Sequence, residues 1–540
     1  MHFSVNKVRP LAAWAAMLFL ATGVGVAQGT RREETKTPIK HIVVIFQENV
    51  SFDHYFATYP HAENPAGEPA FHARRGTPTV NGLSGAQLTN NPNFLNKENG
   101  TGATNPFRLD HSQAATMDQN HNYGAEQEAV DFGLMDLFPK WVGRAGPPPN
   151  APPIVDTKGI TMGYYDGNTV TALWNYAQHF AMSDNSYGTT FGPSTVGVLN
   201  LVSGQTNGAR QTLNGSGDET DGGDGTLTVI GDPDPLGDRC SKSTRNQVRM
   251  GGRNIGELLN DAGVTWGAFM GGFDLRVTNA NGTTNCDRSS KSLYTGTQRD
   301  YVPHHAFFQY YKTTANLDHT PPNSIKEIGH PGPANHQYDL EDFYAAVKSG
   351  NFPAVNFLKG IAIQDGHAGN SDPLDEQEFI VKVVNFLEKT PEWSSTAVVV
   401  MYDDSDGWYD HQMGPIMNQS ASEADELTGH KKCGDGSAAL PGIDAGNAHA
   451  QGRCGYGPRL PLLVVSPWAR ENFVDHSVTD QTSVIRFIED NWLGGKRIGG
   501  GSFDAISNSI EGMFDFERRR LDGRLFLDPK TGDPLPKHKQ

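Results

Sequence analysis

The stretch IKHIVVIFQENVSFDHYF, residues 39–56, is apolar from Ile42 to Phe46 and then breaks at once into Glu48, Asn49, Ser51, Asp53 and His54. So short and continuous a run, without polar alternation, predicts a strand buried on both faces. The same construction recurs in TAVVVMYDDSDGWYDH, residues 396–411, where Asp403, Asp404 and Asp406 follow the apolar segment. Further apolar runs at 264–270 (VTWGAFM), 354–358 (AVNFL) and 460–466 (LPLLVVS) alternate with helical patterns at 168–180, 339–350, 372–390 and 479–492. That alternation predicts an α/β fold: a mostly parallel central sheet with helices on both faces.

The 540 residues, 36% hydrophobic and 19% charged, suffice for a large core. We read a single domain over 38–520, with long loop insertions near 205–300 and 412–456 where Gly, Asn, Asp and Thr dominate. Within the first insertion, GDETDGGDG (217–225) reads as a solvated turn, and the charged, proline-containing tail 521–540 is predicted on the surface. Residues 1–27 carry Lys7 and Arg9, then an apolar run and small residues up to Ala27, the pattern of a signal peptide. The mature chain is therefore expected in the periplasm or outside the cell. Cys240, Cys286, Cys433 and Cys454 lack the CxxC spacing of a zinc site and fit two disulfides, Cys240 with Cys286 and Cys433 with Cys454. A net charge of -17 excludes a nucleic-acid partner, and no second apolar span appears, so membrane contact is at most peripheral. A phosphorylated substrate stays open, because a bound cation can reverse the field inside a cleft.

Open parallel sheets bind ligands at the carboxyl ends of their strands. Glu48 and Asn49 end one predicted strand and Asp403 and Asp404 another, so four oxygen donors are expected at one sheet edge. Carboxylates so placed repel unless a cation neutralises them, and all-oxygen ligation suits one divalent ion, Mg²⁺, Ca²⁺ or Mn²⁺. Asp-rich turns also cap helices and bond locally, which is the bland alternative for either cluster alone. An EF-hand is excluded because Tyr402 stands where that loop needs an acid. In TTFGPSTVGVLNLVSGQ (189–205), Ser194 follows a Gly-Pro turn and opens a helix-spaced run, at the positive end of the helix dipole. A hydroxyl there, also touched by the metal, becomes a nucleophile; Thr195 is the alternative for that role, and a plain helix N-cap the bland reading of Ser194. His121, His304, His305 and His367 are candidates to hold phosphate oxygens or protonate a leaving alkoxide.

The motifs QENVSFDHYF, TTFGPSTVGVLNLVSGQ, YVPHHAFFQYY, DDSDGWYDH and GPRLPLLVVSPWAR, spread from about residue 38 to 493, resemble the phosphoesterase family of bacterial phospholipases C and acid phosphatases. The resemblance implies an alkaline-phosphatase-like fold and a phosphoenzyme formed at a metal centre. It implies Glu48, Asn49, Ser194, Asp403 and Asp404 as metal ligands, Ser194 as nucleophile, and His121, His304, His305 and His367 as phosphate-binding and proton-transfer groups. Two departures stand out: Val50 replaces the arginine usual in the first motif, and Val196-Gly197 replaces the Pro-Asn that often follows the nucleophile. The expected protein is a secreted, metal-dependent phosphoric ester hydrolase acting on a phospholipid headgroup or a phosphomonoester. The alternative is a secreted phosphate- or lipid-binding protein of weak catalysis on the same fold.

Overall fold

The computed structural model describes residues 35–149, 151–215, 217–434, 452–520 and 523–536. The segment read as a signal peptide, residues 1–27, lies outside the described residues.

The opening stretch forms strand β1 (His41–Gln47), whose Ile42 to Phe46 are fully buried. It is joined in one eight-stranded sheet by β2 (Ala181–Ser183), β3 (Trp266–Met270), β4 (Gln337–Asp339), β5 (Val355–Lys359), β6 (Thr396–Tyr402), β7 (Leu462–Val465) and β8 (Phe473–Asp475). The spatial order is β4-β3-β5-β1-β6-β7-β2-β8. β1 lies at the centre, parallel to β5 and β6, with Ile42 opposite Val355 and Ala397. Only β7 runs against its neighbours. Continuous Val, Ile and Leu are what such central strands require, and each such side chain buried contributes about 1.5–3 kcal/mol. β1 and β6 run in register, Gln47 opposite Tyr402, so both deliver their polar successors to one edge.

The helical patterns appear as α1 (Thr171–His179), α2 (Ser194–Ser203), α3 (Leu340–Lys348), α4 (Pro373–Glu388) and α5 (Thr482–Trp492). α4 shows the expected start: Asp372 caps the backbone N–H groups of Leu374 and Asp375, and Pro373 occupies the first turn, where its missing donor costs nothing. The disulfides pair Cys240 with Cys286 and Cys433 with Cys454. No helix among the described residues is long and apolar enough to cross a membrane.

Two regions differ from expectation. Residues 205–254 are not simply loop: they carry a second, five-stranded sheet built from Asn207–Leu213, Glu219–Asp221, Leu227–Val229, Asp234–Pro235 and Gln247–Met250. The stretch 217–225 thus contains one arm of a hairpin, with Thr220 opposite Thr228. The tail is not confined to the surface either. Leu527 is fully buried, Trp393 donates to the carbonyl of Gly523 at 2.9 Å, and Leu525 N–H donates to Glu388 at 2.7 Å. Its apolar triplet 525–527 closes over α4, which the flanking charges conceal when composition is averaged.

Candidate active site

At the carboxyl edge of β1 and β6 the backbone interlocks the two acidic segments. Asp403 N–H donates to the carbonyl of Gln47 at 3.1 Å and Val50 N–H to the carbonyl of Asp404 at 2.9 Å. Asn49 has φ 63°, the left-handed region that Asn tolerates better than most residues, and this turn presents its N–H to Asp403 Oδ1 at 2.9 Å. Each carboxylate is thereby pinned through one oxygen. Asp403 Oδ1 also accepts the N–H of Asp404 at 2.7 Å, and Asp404 Oδ1 accepts that of Asp406 at 2.7 Å. The other oxygens face inward: Asp403 Oδ2 and Asn49 Oδ1 are buried without a hydrogen-bond partner.

Ser194 opens α2, and its Oγ lies 3.2 Å from Glu48 Oε2 and 3.3 Å from Asp404 Oδ2, within reach to donate to either. Gly197 makes this approach possible. A Cβ there would fall 2.4 Å from the carbonyl oxygen of Asp403, so only glycine lets the first turn of α2 lie against the acidic segment. Thr195 faces elsewhere. Its N–H donates to Asp232 at 2.9 Å, and its hydroxyl lies 3.4 Å from the carbonyl of His304. Asp234 opens a strand of the second sheet and Asp232 lies in the loop just before it, so this sheet reaches the back of the site. Glu126 ties the two halves together, accepting Gly192 N–H at 3.1 Å and the Ser405 hydroxyl at 2.6 Å, and burial pushes its carboxyl up to about 7.

The histidines gather around this centre. His121 Nδ1 is 3.0 Å from Asp406 Oδ1 and 3.4 Å from Asp118. Burial disfavours its charged form, but Asp404, Asp406 and Asp118 outweigh burial and hold His121 well above the ordinary imidazole range. His367 follows the same logic: burial lowers it, Asp118, Asp406 and Asp365 raise it, and the balance is upward. The His121 and His367 rings are 6.2 Å apart, and those of His367 and His305 6.4 Å. His305 Nδ1 is 3.2 Å from Glu48 Oε1, while its buried Nε2 has no partner. Burial, then the neighbouring His304 and Lys359, drive it well below the ordinary range, so it is neutral. The His304 ring stands 4.3 Å from that of His305, with its Nδ1 3.7 Å from Asp234.

Electrostatically the centre is under-compensated. Burial, then the charge of Asp403, raises both Glu48 and Asp404 well above the carboxylate range. Asp406 is pushed by burial to about 7 and Asp365 to about 6. The buried Lys359 ammonium contacts Glu48 Oε1 and donates to the carbonyl of Phe46 at 3.3 Å. Lys359, with His121 and His367 raised by their acid neighbours, still leaves Glu48 and Asp404 driven upward, a deficit that a divalent cation would correct, and the orphaned oxygens of Asn49 and Asp403 are the right hard donors. Two further trios, Glu48/His305/Asp365 and Asp118/His121/His367, also bring ligand atoms within 4.8 Å of one another. Sequence reasoning missed Lys359, Asp365, Asp118 and Glu126. Lys359 carried the usable signal, a charge closing an apolar strand just as Glu48 follows β1.

A comparison with protein families matches residues 39–493 to the Phosphoesterase family. Among curated proteins, the chain is 25% identical to a non-hemolytic phospholipase C of Pseudomonas aeruginosa over 86% of its own length and 55% of the relative's. It is 24% identical to phospholipase C A of Mycobacterium tuberculosis, over 88% of this chain and 76% of that one. The chain thus spans about half the length of the Pseudomonas protein. Among solved structures, a protein of the alkaline phosphatase superfamily from Vibrio parahaemolyticus aligns at 12% identity and a TM-score of 0.26, covering 77% of this chain and 76% of that chain.

Proposed function

Since the chain belongs to the phosphoesterase family, we propose that it is an exported, metal-dependent phosphoric ester hydrolase in which Ser194 is the nucleophile. Glu48, Asn49, Asp403, Asp404 and the Ser194 hydroxyl would hold one hard divalent cation, which when bound acidifies the hydroxyl and neutralises phosphate charge. Ser194 Oγ attacks phosphorus and passes its proton to Glu48 or Asp404, both in hydrogen-bond reach. As the Oγ–P bond forms, the bond from phosphorus to the ester oxygen breaks, and His121, held protonated by Asp406 and Asp118, gives its proton to the departing alkoxide. His304 and His367, on either side of neutral His305, offer ring N–H groups to the non-bridging oxygens, while the Nδ1 of His305 faces Glu48. Water then attacks the phosphoserine and gives a proton to His121, and as the bond from phosphorus to Oγ breaks, the carboxylate that took the Ser194 proton returns it to Oγ.

The observation that carries this reading is the Ser194 hydroxyl set between two carboxylates beside orphaned buried oxygens. The relatives named phospholipases C make a phospholipid headgroup diester the first substrate to assay, with phosphomonoesters second. Export is supported by the disulfides. The test is hydrolysis of p-nitrophenyl phosphorylcholine and p-nitrophenyl phosphate by metal-replete protein. Ser194→Ala should lose on the order of 10⁴-fold or more in kcat with metal still bound. Retained turnover removes Ser194 from the role, and ligand binding without any hydrolysis by the wild type favours the binding protein instead.

A further inference from the structure

The edge of the sheet opposite Ser194 has a different character. Trp393 and Ser394 precede β6, and β7 runs against β6 with Val465 opposite Val398, so the residues after β7 emerge at this same amino-terminal edge. Here Arg470, Arg518, Arg519 and Arg520 line a cleft of about 620 Å³. A second cleft of about 260 Å³, sharing Arg519 and Arg520, continues to Arg524. The combined volume is in the range of small-molecule sites.

Five arginines line these two clefts on a chain whose net charge is -17. Only Glu471 and Asp515 line the larger cleft as acids, and both are engaged. Glu471 pairs with Arg74 at 2.7 Å and lies 3.7 Å from Arg520. Asp515 Oδ1 accepts the backbone N–H groups of Glu517 and Arg518. Among the described residues, the exposed Arg518, Arg519 and Arg524 have no carboxylate at ion-pair distance. The walls are ordered rather than loose: Arg470 lies over the Phe473 ring and donates to the carbonyl of Phe514, while backbone bonds from Asp515 and Arg520 to Trp468 and Pro467 fix the arginine segment. Arg520 packs on Phe180 and bonds His179, so its charge is pinned at the floor. A solvated basic surface would scatter its charges among acids. Here they are gathered in a recess, and the planar guanidinium fork matches tetrahedral oxyanions.

We propose that this recess binds a compact polyanion bearing several phosphate or sulfate groups, at a site separate from the catalytic edge and independent of the catalytic reading. The test is calorimetric titration of the full mature chain with sucrose octasulfate, which is no phosphoester, and in a parallel arm with inositol hexakisphosphate. The expected result is one saturable site per chain for the sulfated probe, weakened several-fold when salt rises from about 50 to about 200 mM. Binding of both probes assigns clustered oxyanions in general, and binding of the sulfated probe alone narrows the ligand to sulfate esters. Arg518→Glu/Arg519→Glu should weaken binding about tenfold or more while leaving hydrolysis of soluble substrates and the melting temperature unchanged, with Arg518→Gln/Arg519→Gln intermediate. The proposal falls if the wild type shows no saturable binding of the sulfated probe, if both variants bind as the wild type does, or if only anionic vesicles bind.

Discussion

Two acid clusters grow from the same pair of chain segments. The residues after β1 supply Glu48 and Asn49 to one and Asp53 to the other, and those after β6 supply Asp403 and Asp404 to one and Asp410 and His411 to the other. By ligand-atom spacing alone, Asp53, Asp410 and His411 would pass as a metal trio, all within 4.8 Å. Yet Arg459 already stands among them, donating to Asp410 at 3.1 Å, to Asp53 at 3.0 Å, and to the carbonyls of Asn81 and Asp184 at 2.7 and 3.0 Å. Its guanidinium also lies over Phe52. Burial would raise Asp53, but His411 and Arg459 outweigh it and hold the carboxyl below the usual range. Glu48 and Asp404, equally buried, are driven the other way. Asp410, beside Arg459, is still raised by burial, and Glu48 has Lys359 in contact yet is not brought down by it. The two clusters differ in how far their internal cations offset burial, and the larger shortfall lies at Glu48 and Asp404, where we propose an exogenous cation.

The contrast breaks hardest at the under-compensated cluster around Glu48 and Asp404. Asp404→Asn should cut hydrolysis by more than about 100-fold, the upper cost of removing a mere support of a metal ligand, and lower metal content measured by elemental analysis. In the presence of chelator its stability should match or exceed that of the wild type, because a repelling charge has gone. Arg459→Met should do the reverse: about 3–5 kcal/mol lost in urea denaturation, since Asp53 and Asp410 are left buried without a partner. An Arg459→Met protein of wild-type stability would show that the second cluster is not held by its internal cation. Gly197→Ala tests the junction between Ser194 and the acids. The added methyl meets the Asp403 backbone, and a loss of about 1–3 kcal/mol with a parallel fall in turnover is expected.

These differences also explain what the sequence could and could not disclose. β1 and β6 were legible because double-sided burial forces unbroken apolar runs, and Glu48, Asn49, Asp403 and Asp404 followed from where such runs stop. The Gly-Pro turn before an apolar run put Ser194 at a helix start, and the structure sets its hydroxyl, rather than that of Thr195, beside Glu48 and Asp404, an approach that Gly197 against Asp403 permits between segments some two hundred residues apart. Glu126 left no signal. It sits in a short helix, Tyr123–Val130, whose composition suggests a solvated face, and only tertiary packing buries it. The second sheet was hidden because its strands are two to seven residues long and partly exposed, so pairing rather than apolar content defines them. Arg459 lies in the motif GPRLPLLVVSPWAR, and nothing in its neighbours announces that two distant aspartates converge on it.

The smallest expected effect concerns the histidine of the compensated cluster. Burial lowers His411, but Asp53, with Nδ1 at 2.6 Å, outweighs it, so the folded-state pKa is raised. A group so raised contributes stability that is fully present below its unfolded value, about 6.5, and is lost as pH rises through the folded value. Asp53, being lowered, contributes stability present above about 3.9 and lost as pH falls through its own folded value. The pair should therefore support the fold most between about pH 4 and pH 6.5. His411→Gln keeps a side-chain donor and removes the charge. Its melting temperature should trail the wild type by a few degrees at about pH 5.5, and the gap should close as pH rises through the folded pKa of His411. A gap that stays constant across that range would mean His411 serves only as a neutral hydrogen-bond donor, leaving Arg459 as the sole cation of the cluster and making the Arg459→Met loss correspondingly larger.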